Sequence, residues 1–165
     1  MIMNKRTTHS GIAAIELAVV MPFLIIVMLV GVDLAKTMFQ YNELVKNVRD
    51  ASKYLAGHTR PMNCASTTDP EVLAYKTVIT ETKNLAVCGS LSSCSTASVT
   101  GLSTSKVQVQ YLMVGSVTMV KVGINSMSLS YITKLFSGSL ALGNISSTFY
   151  QPQLDTVSTS CHQLT

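Results

Sequence analysis

Gly11-Ile-Ala-Ala-Ile-Glu16-Leu-Ala-Val-Val-Met-Pro-Phe-Leu-Ile-Ile-Val-Met-Leu-Val-Gly-Val32 decides how the rest of the chain is read. From Ile12 to Val32 there are 21 residues, and Glu16 is the only charge among them. At about 1.5 Å rise per residue that run makes roughly 31 Å of helix, the thickness of a bilayer's hydrocarbon core. The expectation is one membrane span over residues 12–32, with Pro22 placed to kink it. A carboxylate inside such a span is unfavourable by roughly 2.5–3.5 kcal/mol at mid-membrane on insertion scales, and residues of this kind tend to face a partner. The plainer alternative is a signal-anchor helix whose Glu16 snorkels to the headgroups.

Charge sets the orientation. Residues 1–11 carry Lys5 and Arg6 and no acid, whereas Asp33 and Lys36 follow the span. The positive-inside bias places the N-terminus in the cytoplasm and everything after Val32 outside. A cleaved secretory signal has a similar outline. Against it stand the length of the run, Glu16 within it, and the lack of a small-x-small cleavage pattern near its end.

Beyond the span the pattern becomes amphipathic. Leu34, Met38, Tyr41, Val45, Val48 and Leu55 recur at spacings of four and three, with Ser52 filling the gap. That is the stripe of a helix with one buried face, and packing within the monomer is favoured over a coiled-coil seam. With Gly57 as its stop, one helix of about 40 residues is expected, half in lipid and half on an outer domain.

Gly-x-x-x-x-Glu opening an apolar helix resembles the processing site of type IV prepilins. The longer stretch from His9 to Leu24 is similar to the N-terminus of TadE-like pseudopilins of tight adherence (Flp) pilus systems. Asn47-Val-Arg-Asp-Ala-Ser-Lys-Tyr-Leu-Ala56 resembles the continuation of that family's helix, and Pro22, Asp33, Arg49 and Tyr54 fall where its pattern has such residues. The resemblance covers residues 5–56. It departs at Ser10, where a basic residue is common, and at Leu17, where an aromatic is usual.

The resemblance implies that residues 1–11 are a leader removed by a prepilin peptidase between Gly11 and Ile12, leaving Glu16 fifth in the mature chain. The new α-amino group of Ile12 would lie about one helical turn from Glu16. It could equally meet the carboxylate of a neighbouring copy, pairing two charges that neither subunit satisfies well alone. Implied partners are the major Flp pilin, a sister TadE/TadF-like subunit and the inner-membrane assembly platform. The implied role is that of a minor pilin in pilus biogenesis, adherence and biofilm formation. The implied location is the bacterial inner membrane, with a periplasmic C-terminal domain that can pass into the surface pilus.

Residues 58–165 read as that outer domain, and residues 33–57 as the helix leading into it. Thr68-Asp69-Pro70-Glu71 is a helix start, with Asp69 or Thr68 as N-cap. A helix of about 16 residues is expected to follow, carrying Tyr75, Val78, Ile79, Thr82 and Leu85 on one face and ending at Cys88-Gly89. Residues 90–105 hold ten Ser or Thr and read as a polar surface loop. Lys106–Val114 alternates as a half-buried strand, Gly115-Ser116 turns, and residues 117–125 and 144–151 supply two more strands. Residues 131–136 suggest a short helix or turn. The expected class is α+β: a long N-terminal helix packed on about three antiparallel strands with a second helix.

Four cysteines, Cys64, Cys88, Cys94 and Cys161, fall on the external side and suggest two disulfides. The preferred pairing is Cys88–Cys94 with Cys64–Cys161, and Cys64–Cys88 with Cys94–Cys161 stays open. A zinc site from Cys161, His162 and His58 is disfavoured because no Cys-x-x-Cys pair accompanies it.

Charged residues make up only 12% of the chain, and the net charge of +4 includes two basic residues of the leader. That argues against a nucleic-acid surface. No phosphate loop, His-Glu-x-x-His or Gly-x-Ser-x-Gly occurs. The expectation is a non-enzymatic subunit without metal or cofactor. The alternatives are a bitopic envelope protein whose outer domain binds a ligand or adhesin partner without entering a filament, and a membrane-tethered periplasmic enzyme.

Overall fold

A single α-helix, α1 (Ser10–Ala56), runs 47 residues without a break and carries the N-terminal half of the fold. The computed structural model describes residues 10–59, 61, 68–115, 117–125, 127–130 and 139–151. From Gly11 to Val32 almost every residue of α1 is exposed, and Asp33 is the first to be buried. Its last turns then enter the domain core through Leu44, Val48, Ala51 and Leu55. The i, i+4, i+7, i+11 spacing of those four makes one face of a helix.

The second helix, α2 (Pro70–Cys88), lies against that face. Pro70 at its first position lacks only an amide that would have no helical partner, so the start is favourable although Asp69 makes no side-chain cap bond. It buries Val72, Tyr75, Ile79, Thr82, Ala86 and Val87. The expected Val78 and Leu85 pack at the edge of the core. Gly89 ends the helix in the left-handed region at φ 67°, its N–H donating to the Leu85 carbonyl at 2.9 Å.

Three strands follow in an antiparallel sheet of order β1-β2-β5: β1 (Val107–Val114), β2 (Val117–Ile124) and β5 (Ile145–Tyr150). Alternation does what the sequence expects. Val107, Val109 and Tyr111 of β1 and Val120 and Val122 of β2 face the helices, while Gln108, Gln110 and Lys121 face away. Burying each such aliphatic side chain contributes about 1.5–3 kcal/mol. Between β2 and β5 the chain makes a separate two-stranded pair, β3 (Met127–Ser130) with β4 (Ser139–Leu142), which the sequence reading did not anticipate. The helix or turn expected over 131–136 lies outside the described residues.

Two expectations need correction. The stripe of Leu34, Met38, Tyr41 and Val45 does not pack within the monomer: these residues are 59, 62, 42 and 37% exposed. The buried column is Asp33, Thr37, Gln40 and Leu44, each one residue earlier and so about 100° around the helix. Only Val48, Ser52 and Leu55 of the stripe reach the core. The polar loop after α2 is not wholly a surface feature either. Val99 and Leu102 are buried in the core, and the Ser98 amide donates to the Val87 carbonyl at 2.9 Å.

Candidate functional site

The features with functional potential lie along α1, and the domain built on its C-terminal turns fixes how they are presented. Ser52, the polar residue in the stripe, is fully buried. Its Oγ donates to the Val48 carbonyl at 2.7 Å and contacts the Ser147 carbonyl of β5 at 3.2 Å. Asn47 donates from Nδ2 to Ser98 Oγ at 3.2 Å and lies against Gly89, where a Cβ would come within 3.4 Å of Asn47 Oδ1. These contacts fix the rotation of α1 relative to the sheet and the loop.

The C-terminal end of α1 is held by Gln151, which is fully buried just after β5. Its Nε2 donates to the carbonyls of His58, at 2.7 Å, and Leu55, at 3.3 Å, with Tyr75 Oη 3.4 Å away. Tyr75 Oη in turn meets Tyr111 Oη at 2.8 Å, so one polar chain joins both helices and the sheet. Carbonyls at a helix C-terminus have no intrahelical donor, and a buried amide supplies one. The His58 and Tyr54 rings meet at a tilt of 52° with centroids 4.5 Å apart, and His58 Nδ1–H donates to the Tyr54 carbonyl at 2.8 Å. Tyr54 Oη donates to Glu81 Oε2 of α2 at 2.5 Å. That hydrogen bond, then burial, then the negative charge of Glu81, raise the Tyr54 hydroxyl above its ordinary value of 10.0.

The structure places Gly11, Ile12 and Glu16 together in the first turns of α1, all exposed. A Cβ added at Gly11 would meet nothing within 4 Å. Residues 1–9 of the expected leader lie outside the described residues. Pro22 is helical on both sides, and it removes one backbone donor from the ladder inside the apolar run. α1 is long and apolar enough to cross a membrane, and no part of its apolar window is covered by the domain.

Cys88 and Cys94 form the expected short-loop disulfide, with Cα atoms 5.7 Å apart. It ties the end of α2 to the Ser/Thr-rich loop, close to where Val87 enters the core. Cys64 and Cys161 lie outside the described residues, as does His162 of the disfavoured zinc set. Among the described residues no three His, Cys, Asp or Glu side chains converge.

What the sequence reading missed is the division of α1 above Leu44 into a covered polar column and an open apolar one. Leu34, Met38, Phe39, Tyr41 and Val45 are exposed while Asp33 is buried and Thr37 and Gln40 are half-buried. The signal was available in the series Asp33, Thr37, Gln40, Leu44, which has helical spacing but reads as a solvated face.

Residues 11–52 match the model of the TadE-like protein family. The match falls inside the stretch on which the resemblance rests, and it spans the apolar run, the open column and the first core turns. No curated protein and no solved structure matches the chain.

Proposed function

We propose that this chain, with its TadE-like N-terminal segment, is a non-enzymatic minor pilin or pseudopilin of a tight adherence (Flp) pilus. The TadE-like segment supports involvement in Tad pilus systems. One observation carries the finer reading: α1 leaves its whole apolar run, including Glu16, uncovered by its own domain. The apolar column of Leu34, Met38, Tyr41 and Val45 prolongs that open surface past the membrane. A helix used only as an anchor needs no apolar surface outside the lipid.

In this reading a prepilin peptidase cuts between Gly11 and Ile12. The ammonium of Ile12 and the carboxylate of Glu16 then pair between neighbouring pilin-like subunits, fixing their axial register. Opposite charges brought together in lipid strengthen each other's attraction, and leaving either alone is unfavourable. Pro22 lets the span bend within the membrane. The N-terminus is cytoplasmic, the outer domain periplasmic. The partners are the major Flp pilin, a sister TadE/TadF-like subunit and the inner-membrane assembly platform.

The mass of the mature chain tests this directly. A chain beginning at Ile12 in piliated cells is the expected result. An intact leader in cells making normal fibres would favour a bitopic envelope protein whose outer domain acts outside any filament.

A further inference from the structure

The three-stranded sheet has two edge strands, β1 and β5. β1 ends the order β1-β2-β5, and no strand lies on its other side among the described residues. The register decides which backbone groups point off that edge. The Asn125 amide donates to the Lys106 carbonyl at 3.4 Å, so residues 106 and 125 form a hydrogen-bonded pair. Antiparallel pairing alternates, so Gln108 and Gln110 exchange bonds with Gly123 and Lys121 of β2. Val107 and Val109 therefore turn their backbone groups away from β2. The Val107 amide is taken by the Thr104 carbonyl, which leaves the Val107 carbonyl and both polar groups of Val109 along the open edge.

Both valine side chains are anchored in the core, each 3% exposed, so this edge is held in an extended shape. A groove of about 360 Å³ lies in front of it, lined by residues 107–110, Ser105 and Lys83 of α2. Lys83 has no carboxylate partner among the described residues.

We propose that this groove receives an extended segment of another protein, added beside β1 as a further strand, with a carboxylate side chain facing Lys83. Main-chain bonds to Val107 and Val109 supply the attachment, and Lys83 supplies the selectivity. A second copy of this chain fits less well. Pairing β1 with its symmetry mate about Val109 would bring the two Lys83 side chains of α2 into one seam, where like charges repel. The inference requires neither leader cleavage nor a role for Glu16.

The test uses the isotope-labelled full chain in lipid nanodiscs, with hydrogen exchange of the Val109 amide as the readout. The probe is an acetylated, amidated heptapeptide of alternating Thr and Val with a central Glu. Controls carry Lys for that Glu, or Pro at the positions whose amides would face β1. The Val109 amide is expected to exchange freely in the dilute chain and to slow at least about tenfold at saturating Glu peptide. The Glu peptide is expected to bind about threefold more tightly than the Lys peptide, and Lys83→Glu to reverse that order. The proposal fails if the Val109 amide is already protected in the dilute chain, or if millimolar Glu peptide does not slow it. It fails equally if the Pro peptide works as well, or if Lys83→Glu leaves the preference unchanged. Protection that rises with the concentration of the chain alone would assign the edge to a second copy and also overturn it.

Discussion

Replacing Gln151 tests whether the buried polar chain at the end of α1 holds the domain together. Gln151→Leu keeps nearly the same volume but removes the Nε2 donor to the carbonyls of His58 and Leu55. Each such bond has a net worth of about 0.5–1.5 kcal/mol, so losing two costs about 1–3 kcal/mol. Part of this is offset because Gln151 Oε1 is itself buried without a hydrogen-bond partner among the described residues, and leucine removes that atom as well. The expected net loss is about 1–2 kcal/mol, or a fall in Tm of roughly 5–15 °C for a domain of this size.

Gln151→Glu carries the sharper signature. A carboxyl at this position would face carbonyl oxygens in a buried site, and both burial and those oxygens raise its folded-state pKa. The protonated form can still donate to His58, whereas the ionised form cannot. The variant is therefore least destabilised below the unfolded-state value of about 4.3, and progressively more so as pH rises through the folded-state value. Urea unfolding of the full chain in detergent micelles, followed by tyrosine near-ultraviolet circular dichroism from pH 4 to 8, measures both effects. If Gln151→Leu matches the parent within about 0.3 kcal/mol, or Gln151→Glu shows no added pH dependence, the role given to this amide is wrong.

Further outcomes follow from the same geometry. Leu44→Ala, in the core, is expected to cost about 2–4 kcal/mol, whereas Leu34→Ala and Met38→Ala should change unfolding free energy by under about 0.5 kcal/mol. A large effect at Leu34 would mean that the open column is part of the monomer's core. Tyr54→Phe removes the bond to Glu81 at a partly exposed site and should cost about 1 kcal/mol at neutral pH. Because the Tyr54 pKa is raised, that contribution is fully present below about pH 10 and disappears as pH rises through the folded-state value. Denaturation of both proteins from pH 8 to 11 should show the gap closing. Glu16→Ala is expected to leave insertion and the Ile12 terminus intact while abolishing piliation, scored by electron microscopy, and unchanged fibres would remove the assembly role from that carboxylate.

Much of the fold is legible because periodicity reports burial. Val107, Val109 and Tyr111 alternate with Gln108 and Gln110, and that pattern survives unchanged in the sheet. Tyr75, Ile79 and Thr82 likewise keep the face their spacing assigns. The apolar stripe on α1 was harder. Periodicity says which residues share a face but not what covers them, and the domain covers the neighbouring column. β3 and β4 were missed because each is only four residues long, too short for alternation to register. Val99 and Leu102 were hidden in a run of hydroxyls whose composition masks two isolated core anchors. For the candidate site, the grouping of Gly11, Ile12 and Glu16 follows from spacing alone. The open edge of β1 depends on strand order, which no local pattern encodes.

The continuity of α1 has a mechanical consequence. Its 47 residues make a rod of roughly 70 Å, and its last turns are embedded in the core through Leu44, Val48 and Leu55. No break in the helix separates the apolar run from the domain, so a turn imposed on one end is transmitted to the other. A protein that grips the apolar half thereby sets the compass bearing of the sheet at the other end. Axial tension on the rod is borne by the domain's packing, and the domain cannot be pulled away from the rod without being taken apart.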